Sequence, residues 1–142
     1  MSSEYLEHAN VTVQKIEPAA RFLLAALPGW RVRGEGRMNY FDKSIRWMHV
    51  GDDTHYIALQ DGGEGKGPHW TSHQVGVKHL GIVVPDLDAL VERLREAGFE
   101  VGHPGGTHPH RRSAYYDADD LVQIEFMQYL SALPEQRNDY VG

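Results

Sequence analysis

The chain has 142 residues, 41% apolar and 24% charged, which suits one ordinary domain or two small halves with a shared core. A net charge of −6 without a Lys/Arg run argues against a nucleic-acid backbone as partner, and no window approaches the roughly 18 apolar residues needed to span a bilayer. The absence of cysteine excludes disulfides and thiolate metal sites, so any metal would have to be held by imidazole nitrogens and carboxylate oxygens. The start, MSSEYLEHAN, has no basic segment followed by an apolar one, which makes the cytoplasm the expected location.

In chain order, HANVTV (8–13) alternates as a strand that begins on a histidine. An amphipathic helix follows, with Pro18 in its first turn, Phe22, Leu23, Ala26 and Leu27 on one side, and Gly29 placed for a left-handed stop. Three extended segments, WRVRGE, SIRWMHV and THYIALQ, come next, with GDD as the turn before the last. The Gly-rich stretch 61–74 has no apolar period and reads as a linker. The order then repeats: HLGIVV (79–84) stands over HANVTV, AGFEV (97–101) over PGWRV (28–32), and ADDLVQIEF (118–126) over GDDTHYIAL (51–59). Asp86 caps the second helix, with Leu87, Leu90, Val91 and Leu94 inward and Gly98 at its end. The expected architecture is α+β, a βαβββ module used twice, comprising module 1 (4–60), the linker (61–74), module 2 (75–130) and a polar tail (131–142).

Strand alternation nominates the chemistry. Ile124 and Phe126 should face the second helix, which sends Glu125 to the opposite side, where an unpaired carboxylate among apolar residues is costly. His79 alternates with Leu80 and Ile82 and can face the same side, and His8 does so by the repeat. Two imidazoles and a carboxylate suit one divalent metal ion of intermediate hardness, with positions left for water or substrate. Tyr56 and Gln123 share the parity of Ala58 and Glu125, and Gln60 lies two residues beyond Ala58, so all three are candidate substrate contacts. His55 falls on the helix side, His49 aligns with Tyr116, Trp30 and Trp47 read as core, and His69 and His73 lie in the linker.

The duplicated order, with HANVTV, HLGIVVPDLD and DADDLVQIEF in these places, resembles the vicinal oxygen chelate superfamily over nearly the whole chain. That superfamily includes glyoxalase I, extradiol dioxygenases, fosfomycin-modifying enzymes and bleomycin-binding proteins. The resemblance implies a U-shaped mixed sheet around a metal, with ligands from first and last strands, which map onto His8, His79 and Glu125. It also implies a small-molecule substrate and a homodimer. The fourth place, where glyoxalase I has a metal-bound glutamate that acts as base, is Ala58. With three protein ligands the site looks more like the facial two-His-one-carboxylate arrangement of Fe(II) or Mn(II) oxygenases, with Zn(II) and Ni(II) also open. A local likeness to extradiol dioxygenases in Gly106-Thr107-His108, Tyr116, Asp119 and Glu125 implies His108 as acid/base and Tyr116 as a substrate hydrogen bonder. It departs from that pattern at Tyr115, Asp120 and Val122. Asn10, where fosfomycin-transferring relatives have Thr, counts against thiol transfer. The preferred expectation is dioxygenase-like chemistry on a substrate that chelates through vicinal oxygens. The alternatives are a lactoylglutathione lyase-like lyase or isomerase, and a metal-free drug-binding protein.

Overall fold

The computed structural model describes residues 2–118 and 120–141. The chain forms two compact units, with the main division between Gly67 and Pro68, inside the Gly-rich stretch. Each unit is a βαβββ module with a mixed four-stranded sheet, in the α+β class.

The first unit contains β1 (His8–Thr12), α1 (Ile16–Ala26), β2 (Arg31–Tyr40), β3 (Lys43–Gly51) and β4 (Tyr56–Gln60), in sheet order β1-β4-β3-β2. β1 runs parallel to β4 and the other neighbours are antiparallel. α1 buries Ile16, Ala19, Ala20, Phe22, Leu23 and Ala26, the stripe expected from a 3.6-residue period, against a sheet face carrying Met48, Val50, Ile57 and Leu59. Its N-cap, Lys15, makes no side-chain capping bond. At the other end Gly29 is not in the left-handed region, because Leu27 already caps the helix and Pro28 cannot continue it. β2 and β3 are longer than their sequence segments suggest and close in a tight turn in which Phe41 and Asp42 both take positive φ, 47° and 65°. The Gly-Asp-Asp turn is held by Asp52, whose carboxylate accepts from the Thr54 and His55 amides at 2.9 and 2.8 Å.

The second unit contains β5 (His79–Val83), α2 (Leu87–Glu96), β6 (His103–Pro104), β7 (Arg111–Tyr116), β8 (Gln123–Tyr129) and the short α3 (Pro134–Arg137), in sheet order β5-β8-β7-β6. Asp86 caps α2 by accepting from the Ala89 amide at 3.0 Å, and Gly98, at φ 94°, supplies the left-handed stop. Leu87, Leu90 and Leu94 pack with Ala114, Tyr116, Ile124 and Phe126 as the core of this unit. β6 is reduced to two residues. The polar tail folds back on its own unit: Arg111 donates to the Asp139 carbonyl at 2.7 Å, and the Arg137 guanidinium lies 4.0 Å from the Tyr129 ring centre.

Candidate functional site

In the second unit, parallel pairing of β5 with β8 sets His79 opposite Gln123 and Gly81 opposite Glu125. Because Ile124 and Phe126 are consumed by the core, Glu125 projects from the open face of the sheet, where its Oε1 lies 3.4 Å from His79 Nε2. The carboxylate is 13% exposed and the imidazole 39%, so the pair faces outward from a partly desolvated base. Two donor atoms each about 2.1 Å from a divalent ion lie about 3.0 to 3.4 Å apart for angles between right and tetrahedral. The pair therefore fits two adjacent coordination positions. Among the described residues, neither unit by itself gathers three His, Asp or Glu side chains into a metal cage.

The tyrosine on this face is Tyr115, directly across from Glu125 in the β7–β8 register. Its hydroxyl is pushed up to about 12 by burial, reinforced by its hydrogen bond to the Glu125 carboxylate and the repulsion of that charge. The ring meets His79 edge-on at 5.3 Å and stacks on His103 at 4.4 Å, and Trp70 stacks on the far side of His103 at 4.5 Å. Trp70 belongs to the Gly-rich connection, so that segment supplies a wall beside the His79–Glu125 pair. Tyr116, the tyrosine nominated from sequence, points the other way: it is 1% exposed, sits edge-on to Phe126 at 5.7 Å, and burial raises its hydroxyl to about 12. The physical cause is one residue of loop. Nine positions separate His49 from its partner Ala58, and ten separate Tyr115 from its partner Glu125. The repeat offset thus changes from 67 to 66 across the turn, and strand parity changes with it. His49, not aligned with Tyr116 as the repeat suggested, is the counterpart of Tyr115.

The other nominated residues of this unit are more constrained. Gln123 is buried and donates to Asp117 at 3.2 Å. His108 has a side chain only 8% exposed, accepts the His110 amide on Nδ1 at 3.0 Å, and turns Nε2 toward Asp139 of the tail at 3.5 Å. Asp119 lies outside the described residues.

In the first unit, His8 stands at the head of the edge strand β1, with Nδ1 2.9 Å from Glu7 and its ring stacked on Tyr56 at 4.7 Å. Tyr56 stacks in turn on His49 at 4.6 Å, and His49 is tilted against Trp47 at 4.9 Å. Desolvation, helped by the nearby Arg33 and His8 charges, lowers the His49 pKa from its ordinary value, which keeps the ring neutral. Ala58 sits between Asn10 and His49, so the place equivalent to Glu125 holds only a methyl group. The gap belongs to a groove of about 280 Å³ lined by Asn10, Met38, Tyr40, Trp47, Ala58 and Gln60, among others. Trp47, which reads as core in the sequence, lies instead over Gly34 and Gly36 on this face, where a Cβ at Gly36 would come within 3.1 Å of the indole. His55 is half-exposed at the turn, and His69 and His73 are exposed.

No described helix is long and apolar enough to cross a membrane. The glyoxalase/bleomycin resistance protein/dioxygenase superfamily model matches residues 5–126. No curated protein sequence matches the chain. Among solved structures, a glyoxalase family protein from Bacillus cereus superposes with a TM-score of 0.70 at 17% identity, covering 92% of this chain and 99% of that one. A glyoxylase/bleomycin resistance protein/dioxygenase domain from Frankia sp. gives 0.69 at 23% identity, over 90% and 99%. The fosfomycin resistance protein FosX from Listeria monocytogenes, complexed with Mn(II) and sulfate, gives 0.63 at 16% identity, over 98% and 100%. The paired βαβββ units agree with a family match that runs from before β1 into β8, and the chain belongs to the glyoxalase/bleomycin resistance protein/dioxygenase superfamily.

Proposed function

We propose that the protein is a divalent-metal-dependent enzyme acting on a small substrate that chelates the metal through vicinal oxygens, with dioxygenase-like chemistry and Fe(II) or Mn(II) as the preferred ion. The observation that carries this reading is the 3.4 Å approach of His79 Nε2 to Glu125 Oε1 on an open sheet face, with His8 as the third ligand indicated by the repeat. The Mn(II) complex of the FosX relative supports a metal of this class. When bound, the ion would supply charge stabilisation and substrate orientation. The chain's own part is to hold the Glu125 carboxylate in place through the Tyr115 hydroxyl and to present the Trp70–His103–Tyr115 stack as a wall against which a planar substrate is set.

A lyase or isomerase is the second reading, and it is favoured by one observation. Although Ala58 cannot act as a base, the neutral His49 opposite it can accept a proton. A homodimer is part of the proposal, in line with the prevalence of twofold assemblies and with the exposed Val75, Val77 and Val83 before and within the edge strand β5. Elemental analysis of protein purified without chelator tests the metal, and about one divalent ion per chain is expected. His79→Ala and Glu125→Gln should each abolish stoichiometric binding without unfolding. Full retention in both variants would remove the proposed site, and a monomer mass by light scattering would remove the dimer.

A further inference from the structure

β2 is not a regular partner of β3. The pairing runs Arg31 to Gly51 and Val32 to Val50, then resumes with Gly34 opposite His49, so Arg33 is the extra residue of a β-bulge. Bulges re-aim a side chain, and this one swings the Arg33 guanidinium onto the open face, 4.3 Å above the centre of the Tyr56 ring. Arg31, two residues before it on β2, is paired with Asp53, whereas Arg33, like Arg37 farther along the strand, enters no ion pair among the described residues. A guanidinium delivered by a backbone irregularity and left without a carboxylate is available to an anion.

Next to it lies the groove at Ala58. Three of its lining groups are aromatic rings, the Trp47 indole over two glycines, His49 and Tyr40; Met38, Leu59 and the Ala58 methyl are aliphatic, and Asn10 and Gln60 are the polar groups. The volume of about 280 Å³ is near the lower end for small-molecule sites and suits one or two fused rings. Glu7, the nearby carboxylate, is engaged with His8. We propose that this face of the first unit binds a planar aromatic carboxylate, with the ring against Trp47 and His49 and the carboxylate on Arg33.

His8, the third ligand of the proposed metal site, stacks on the same Tyr56 ring, and Ala58 holds the fourth ligand place, so the inference rests on that reading and names a substrate class for its first-unit face. Because Arg33, Trp47, His49 and Ala58 are not proposed ligands, it is tested on metal-free protein. Equilibrium dialysis in excess EDTA would compare 2-naphthoate with the neutral 2-naphthylmethanol, for wild type, Arg33→Met and Ala58→Leu. Wild type should prefer the carboxylate by about tenfold, the scale of one charge-assisted hydrogen bond. Arg33→Met should erase that preference while retaining naphthylmethanol binding, and Ala58→Leu should weaken both compounds together. Circular dichroism of both variants establishes that they are folded. Absence of binding to wild type, or a carboxylate preference that survives Arg33→Met in folded protein, would overturn the proposal. Neither result bears on metal content, which is read separately from the His79 and Glu125 variants.

Discussion

The hydroxyls of Tyr115 and Tyr116 are both pushed up to about 12, for related reasons on opposite faces of one strand. Burial leads in each case. For Tyr115 the Glu125 carboxylate adds its hydrogen bond and its charge, and for Tyr116 the Glu100 charge adds to burial. An acid whose pKa is raised on folding contributes stability that is complete below its unfolded value near 10 and is lost as pH rises toward 12. The urea midpoint should therefore fall steeply between pH 10 and 12, with Tyr116 responsible for up to about 2 to 3 kcal/mol. In Tyr115→Phe/Tyr116→Phe that part of the decline should be absent, and an unchanged pH profile would show that these hydroxyls ionise as freely as in the unfolded chain. At the same scale, the change of parity between Tyr115 and Tyr116 decides which phenol reaches the carboxylate. A one-residue difference in loop length is hard to read from a repeat whose offset already falls from 71 to 67 along the chain.

The two helices start differently, and the difference is measurable. Asp86 satisfies the Ala89 amide, and Gln128 from β8 takes the Leu87 amide at 2.9 Å, so the first turn of α2 is closed from two sides. Lys15 has the extended N-cap conformation, φ −135° and ψ 136°, but no acceptor side chain, and its charge sits at the positive end of α1. Lys15→Asp should raise stability by about 1 kcal/mol, seen as an upward shift of the thermal midpoint, since it supplies both a cap and a favourable charge. The turn between β3 and β4 makes the opposite point. A Cβ on Gly51 would lie 2.0 Å from the His55 carbonyl oxygen and 2.5 Å from Tyr56 Cα, both backbone atoms with little room to yield. Gly51→Ala should cost roughly 2 to 3 kcal/mol in chemical denaturation. It should also disturb the His8–Tyr56–His49 stack, detectable as changed aromatic circular dichroism. The glycine is visible in the sequence, but its necessity depends on how closely β4 returns.

The tail of the second unit shows how a polar segment can be ordered without a core of its own. None of the residues of α3 is buried, yet Arg111 grips the carbonyls of Arg137 and Asp139, and Asp139 covers His108. Ending the chain after Ala132 should leave the far-ultraviolet circular dichroism nearly unchanged while making His108 react several-fold faster with diethyl pyrocarbonate, as followed by mass spectrometry. An unchanged rate would mean that the tail does not cover this histidine in solution.

The βαβββ order, its duplication, the capping by Asp86 and the assignment of Ile124 and Phe126 to the core were all legible in the sequence, because each rests on local periodicity or on an end-of-helix signal. The facing of Glu125 followed from the same alternation. Tertiary structure alone decided which residues surround it. Tyr115 in place of Tyr116, the wall made by Trp70 and His103, the position of Trp47 over Gly34 and Gly36, and the turning of Arg33 by a bulge all depend on register and close approach between segments distant in the chain. A sequence pattern carries the period of a strand. Its pairing register is set by loop length and packing, and a shift of one residue moves every side chain to the other face.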